Sequence, residues 1–159
     1  MTEEQRKQAW MISLRLLAAT PKSRKELTRK LTEKGFDPGI VEETLDGLEQ
    51  KGLLSDRAYA QNLISRFVNE KPSGKRKISF ELKRRGVPGK IQQELLDGIS
   101  VEQETENARD LARLKWERFK SLEPEKRKKR VYDFLLRRGF DFNLVRDVMQ
   151  EITADADTE

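Results

Sequence analysis

Residues 74–86 read GKRKISFELKRRG, with six cations and one anion between bounding glycines. A helical pattern lies beneath the charge. Ile78 and Leu82 stand four apart and so share one helix face, and Gly86 sits where a helix needs a residue free to enter the left-handed region. Lys83, Arg84 and Arg85 fall in the last turn, where the terminal carbonyls favour a cation by about 0.3–1 kcal/mol each. Lys71, Lys75, Arg76 and Lys77 lie at or before the helix start, the unfavourable end, which points to a use outside the helix.

The same pattern recurs twice. ELTRKLTEKGFDPGIVEETLDGL, ISFELKRRGVPGKIQQELLDGI and VYDFLLRRGFDFNLVRDVMQEI superimpose on Gly35, Gly86 and Gly139, which are 51 and 53 residues apart. Apolar residues fall eight before each glycine (Leu27, Ile78, Val131), four before (Leu31, Leu82, Leu135) and one after (Phe36, Val87, Phe140). They return five after (Ile40, Ile91, Leu144) and thirteen after (Leu48, Ile99, Ile152), with Leu45, Leu95, Leu96, Val148 and Met149 between. A period near fifty residues is typical of stacked helical modules.

Helix punctuation runs through the rest of the chain. Thr2-x-x-Gln5, Ser23-x-x-Glu26 and Ser100-x-x-Gln103 fit capping boxes, Asp37 precedes a first-turn Pro38, and Pro124 fits the same role. Gly35, Gly52, Gly86 and Gly139 mark stops, and no segment alternates long enough for a strand. The pattern predicts helices over 3–19, 23–34, 38–51, 56–70, 74–85, 88–98, 101–121, 124–138 and 142–152. The expected fold is all-α, three tandem three-helix repeats in an elongated array that admits curvature. The repeats would span 1–53, 54–99 and 100–152, before a disordered acidic tail, TADADTE, over 153–159.

Composition excludes several function classes. The chain has no cysteine and no histidine, which removes disulfides, thiolate chemistry, Cys-based zinc sites and the usual general base. No cofactor, metal site or catalytic residue is expected. Glu42 and Glu43 are adjacent and point apart on a helix, so they do not form a working carboxylate pair. No apolar run approaches the roughly 18 residues of a membrane span, and the N-terminus lacks a signal pattern. A cytoplasmic protein without membrane contact is expected.

Charged residues make up 38% of the chain against 35% apolar, with a net charge of +5 and a pI near 9.4, which favours a polyanionic partner. The charge is unevenly placed: residues 71–90 and 113–138 are strongly basic, while 37–56 are acidic. Two basic segments at equivalent places in successive repeats point to a shared binding surface. Trp10, Trp116 and Phe119 read as core side chains, with base stacking the minority use for the last two.

Residues 23–54, SRKELTRKLTEKGFDPGIVEETLDGLEQKGLL, have the look of the helical half of a winged helix. A helical segment, SDRAYAQNLISRFVNE, follows in place of the wing, and the recognition-helix position is acidic, which a major groove would repel. The motifs S-x-x-E-L-x-x-K-L-x-x-K-G at 23–35, G-L-L-x-D-x-x-Y-A at 52–60 and G-x-x-x-I-x-x-E-L-x-x-x-G at 74–86 are together similar to the RecX family of bacterial regulators of the RecA recombinase. The likeness extends from about residue 10 to 152, and the third repeat, including VEQETENARDLARLKWERFK, agrees in pattern more than in identity.

That resemblance implies tandem three-helix repeats, no enzymatic activity, and binding to the RecA filament on single-stranded DNA. Its recombinase, ATPase and coprotease functions in DNA repair, recombination and the SOS response would be restrained. Direct DNA contact and a monomeric free state are also expected. The cations expected to dock the partner are Arg76, Lys77, Lys83, Arg84 and Arg85, joined by Lys128, Arg130, Arg137 and Arg138. The competing reading is a sequence-nonspecific DNA- or RNA-binding helical protein that acts without RecA.

Overall fold

In the computed structural model, which describes residues 2–157, every regular element among the described residues is helical. α1 (Glu3–Ala19) opens on a complete capping box, Thr2 Oγ1 accepting Gln5 N–H at 3.1 Å while Gln5 Oε1 accepts Thr2 N–H at 3.0 Å. α2 (Arg24–Glu33) repeats the device with Ser23 and Glu26. α3 (Pro38–Gln50) begins where the Asp37 carboxylate accepts Gly39 N–H at 2.8 Å. α4 (Asp56–Ser65) runs directly into a π turn over Arg66–Glu70, and α5 (Lys75–Arg84) and α6 (Gly89–Asp97) follow.

α7 (Val101–Arg118) starts with Ser100 Oγ accepting Gln103 N–H at 3.0 Å, but Gln103 directs its own amide at Asn107 Oδ1, also at 3.0 Å, rather than back to the cap. α8 (Pro124–Arg137) has proline in its first turn. α9 (Phe142–Asp157) corrects one expectation: the stretch from residue 153 is helical through Asp157 rather than disordered. Ile152 is buried and anchors that turn, Thr153 Oγ1 donates to Met149 O at 2.9 Å, and Ala154 and Ala156 are strong helix formers. Residues 158 and 159 lie outside the described residues. Among the described residues no helix is long and apolar enough to cross a membrane.

The chain divides into two compact units, Met1–Asn62 with Leu82–Gln92, and Leu63–Glu81 with Gln93–Glu159. α4, α5 and α6 each contribute residues to both. The first unit has a core of Leu27, Leu31, Val41, Leu45, Leu48 and Leu54, with Trp10, Ile12 and Phe36 packed against it. The second is built on Ala108 and Ala112 of α7, Val131 and Leu135 of α8, and Phe140, Val145, Val148, Met149 and Ile152. Each fully buried Leu of these cores contributes about 1.5–3 kcal/mol.

The repeat register is visible in burial and in hydrogen bonding. Leu27, Ile78, Val131, Leu31, Leu82 and Leu135 are each no more than 1% exposed. Gly35, Gly86 and Gly139 have φ of 91°, 84° and 85°, in the left-handed region where a side chain would be strained. After each glycine the chain folds back in the same way: Phe36, Val87 and Phe140 donate N–H to the carbonyls of Leu31, Leu82 and Leu135 at 3.3, 3.0 and 3.3 Å. This six-to-one bond ends a helix and tucks the following apolar residue into the core. The all-α expectation of three related three-helix modules holds.

Candidate partner-docking surface

The beginning of α5 is fixed by the end of α8. Gly74 N–H donates to Arg138 O at 2.7 Å and Arg76 N–H to Gly139 O at 3.2 Å. The approach needs a glycine, because a Cβ on Gly74 would lie 2.2 Å from Gly139 O. From α7, Glu104 Oε2 accepts Lys75 N–H at 2.8 Å. These carbonyls and this carboxylate supply negative potential at the end of α5 where the sequence offered none, so local electrostatics accounts for part of the cation cluster at 75–77.

That contact sets Arg76 and Lys77 beside Arg137 around a cleft of about 690 Å³, lined also by Phe80, Leu136 and Phe142. Among the described residues none of the three cations has a carboxylate partner. Phe80 is 63% and Phe142 54% exposed. The Phe142 ring meets Tyr132 edge-on, centroids 5.9 Å apart. Lys115 registers the positive field: its pKa is lowered, first by burial and then by Arg118, Arg138 and Arg137.

The other expected site residues have different surroundings. Arg138, next to Arg137 in sequence, is half-buried, donates to Pro72 O and lies 5.6 Å from the Phe134 ring centroid. Burial pushes its pKa down, and its Nε has no partner. Its work is to hold the α4–α5 loop against α8. Lys128 pairs with Glu125 at 3.6 Å, and Arg130 lies over Phe119 at 5.7 Å. Lys83, Arg84 and Arg85 belong to the first unit. There Lys83 and Arg84 are exposed, whereas Arg85 donates to the Tyr59 hydroxyl at 2.9 Å and its backbone carbonyl accepts the Ser23 hydroxyl. The core reading of Trp116 holds: it is partly buried, and Arg127 stacks on it at 3.9 Å and donates Nε–H to its carbonyl at 2.8 Å.

Phe80 and Phe142 are the side chains the sequence reading missed. Phe80 lies two residues from both Ile78 and Leu82, about 200° around the helix from each at 100° per residue, so its exposure was readable from their burial.

The acidic segment at 37–56 is mostly satisfied internally. Arg24 meets Glu42 at 3.0 Å, Asp46 at 2.9 Å and Glu49 at 2.9 Å. Burial alone would lower its pKa, but hydrogen bonds to Glu49 and Asp46 raise it above the usual guanidinium value. Glu43 pairs with Arg6 at 3.1 Å, so the adjacent Glu42 and Glu43 serve different partners. Among the described residues no cluster of three or more His, Cys, Asp or Glu is placed to hold a metal ion.

Three family models match the chain in order: the first three-helix domain of RecX over residues 9–48, the second over 55–96 and the third over 102–149. Regulatory protein RecX of Chlorobium phaeobacteroides is 34% identical over 152 residues, covering 96% of this chain and 98% of the relative. That of Chlorobium limicola is 36% identical over 155 residues, covering 96% and 94%. The crystal structure of RecX from Lactobacillus salivarius has the same fold, with a TM-score of 0.86 at 20% identity over 96% of this chain and 99% of that one. On these matches, in order and over nearly its whole length, the chain belongs to the RecX family of regulatory proteins.

Proposed function

We propose that this protein binds the RecA nucleoprotein filament in the cytoplasm and restrains its recombinase, ATPase and coprotease activities, with no catalysis of its own. Arg76, Lys77 and Arg137 are the principal docking cations. Lys83, Arg84, Arg85, Lys128 and Arg130 add to the attraction, while Arg138 supports the surface from beneath.

The observation that carries this reading is the convergence of Arg76, Lys77 and Arg137 without a carboxylate partner. Like charges gathered at one place repel one another, and an acidic protein surface or phosphate relieves that repulsion on contact. Family membership supports RecA as the partner. A second reading, nucleic-acid binding without RecA, draws on the two exposed phenyl rings beside those cations.

The test is RecA ATP hydrolysis and strand exchange with added protein. The double variant Arg76→Glu, Arg137→Glu should lose inhibition at physiological salt while keeping its helical content. Undiminished inhibition by that folded variant would remove the site. Equal affinity of the unaltered chain for bare single strands and for RecA-coated strands would favour the second reading.

A further inference from the structure

We propose that the cleft bounded by α5, α8 and α9 is an anchor pocket for an apolar side chain carried on an acidic segment of the partner protein. Phe80 and Phe142 grip the side chain, and Arg76, Lys77 and Arg137 meet the flanking carboxylates. This rests on the filament-binding reading above and specifies the chemistry that the filament must present.

Among the described residues the large exposed apolar side chains are Met11, Leu53, Phe80, Val101, Leu114 and Phe142, and two of these line this one cleft. Exposed apolar surface gathered in a concavity marks a docking site more strongly than the same residues scattered singly. The pocket is preformed. Phe142 is braced by Tyr132, which packs on the core, and Leu136 contributes from a helix whose Val131 and Leu135 are fully buried. At about 690 Å³ the cleft is large enough for a bulky side chain with its neighbouring backbone. The cations at its rim select for charge: a purely apolar segment would leave them unpaired, and a basic one would be repelled. Glu81, also in the lining, already has an interaction of its own.

A protein segment fits this arrangement better than a nucleic-acid strand. Strand binding uses a groove that tracks the backbone past successive aromatic platforms. Here two other aromatics of the same unit are engaged by cations, Trp116 by Arg127 at 3.9 Å and Phe119 by Arg130 at 5.7 Å, and Tyr132 is packed edge-on against Phe142. What remains is a concave pocket with two exposed rings, one of them braced, and a charged rim, the form of an interface hot spot.

The experiment measures affinity of the full chain for purified RecA assembled on poly(dT), across a salt series. Phe80→Ala and Phe142→Ala, checked for folding by thermal melts, should each weaken binding by at least about tenfold with an unchanged salt dependence. Phe80→Leu, which restores an apolar surface, should recover most of the loss. Arg137→Glu should weaken binding and flatten the salt dependence. Binding of both alanine variants within about twofold of the unaltered chain would overturn the pocket while leaving filament binding intact. Failure of the unaltered chain to bind would overturn both. With a bare labelled dT oligonucleotide as a parallel probe, the alanine variants should match the unaltered chain. A loss there equal to the loss on the filament would identify the occupant as nucleic acid and overturn the proposal.

Discussion

Arg24 in the first unit sits among three carboxylates, whereas Arg137 in the second sits beside other cations. The first unit neutralises its acidic helix face internally, so the charge of residues 37–56 is largely structural. The second leaves Arg76, Lys77 and Arg137 without carboxylate partners around one cleft, while several of its other basic residues are paired or stacked: Lys129 with Asp133, Lys128 with Glu125, Arg127 on Trp116. Net charge does not distinguish the two situations; pairing does. A cation already held by a carboxylate must lose that contact to gain another, and an unpaired one needs only to shed water.

The contrast depends on α5 meeting α8, and Gly74→Ala should break it most severely. The added Cβ would strike the Gly139 carbonyl at 2.2 Å and disturb the 2.7 Å bond from Gly74 N–H to Arg138 O. A stability loss of about 3 kcal/mol is expected in chemical denaturation, together with loss of filament binding as Arg76 and Lys77 leave Arg137. Gly86→Ala in the first unit should cost less. It adds a strain that Gly74 lacks, from φ 84°, but its added methyl meets the Lys25 side chain, whose outer carbons can move, rather than backbone.

Arg24→Ala tests the opposite side of the comparison. It would leave Glu42, Asp46 and Glu49 facing one another without their shared cation, at a cost of about 1–2 kcal/mol in stability. Filament affinity should stay close to that of the unaltered chain, because this arginine is engaged inside its unit.

The smallest effects are in pH dependence, and the two units should show opposite signs. Asp56 in the first unit has a raised pKa, chiefly from burial, opposed by its hydrogen bond from Arg24 N–H. Its native state holds the proton more tightly than the unfolded chain does. Its contribution is therefore greatest below the ordinary carboxylate range and declines as pH rises through the raised native value. Asp56→Asn should remove that decline. Glu151 in the second unit has a lowered pKa, first because of its hydrogen bond from Arg109 at 2.7 Å. Its contribution is present above the ordinary carboxylate range and fades as pH falls through the lowered native value. Glu151→Gln should match the unaltered chain in acid and fall slightly below it at neutral pH. Melting series across pH read both.

Much of this fold is legible in the sequence because helix ends are local chemistry. Thr2, Ser23 and Asp37 cap the helices they precede, and four spaced glycines take the positive φ that ends α2, α3, α5 and α8. The core follows from spacing counted outward from those glycines. The site is less legible because it depends on contacts between distant segments. Nothing local separates Arg137 from Arg138; the difference arises because the loop carrying Pro72 lies against one and not the other. The capping of the Lys75 backbone N–H by Glu104, twenty-nine residues further along, is equally invisible to a local reading. At the acidic end of α9 charge alone argues for disorder, whereas Ile152 and the alanines beyond it sustain the helix.

The central claim is that unpaired cations, rather than total charge, dock the partner. The direct measurement compares two charge-matched triple variants for affinity to RecA filaments at fixed physiological salt. One is Arg76→Gln, Lys77→Gln, Arg137→Gln. The other is Arg29→Gln, Lys120→Gln, Lys129→Gln, whose cations pair with Glu33, Glu117 and Asp133. The first should lose at least about 30-fold in affinity and the second less than about threefold. Equal losses in the two would contradict the account and leave net charge as the whole explanation.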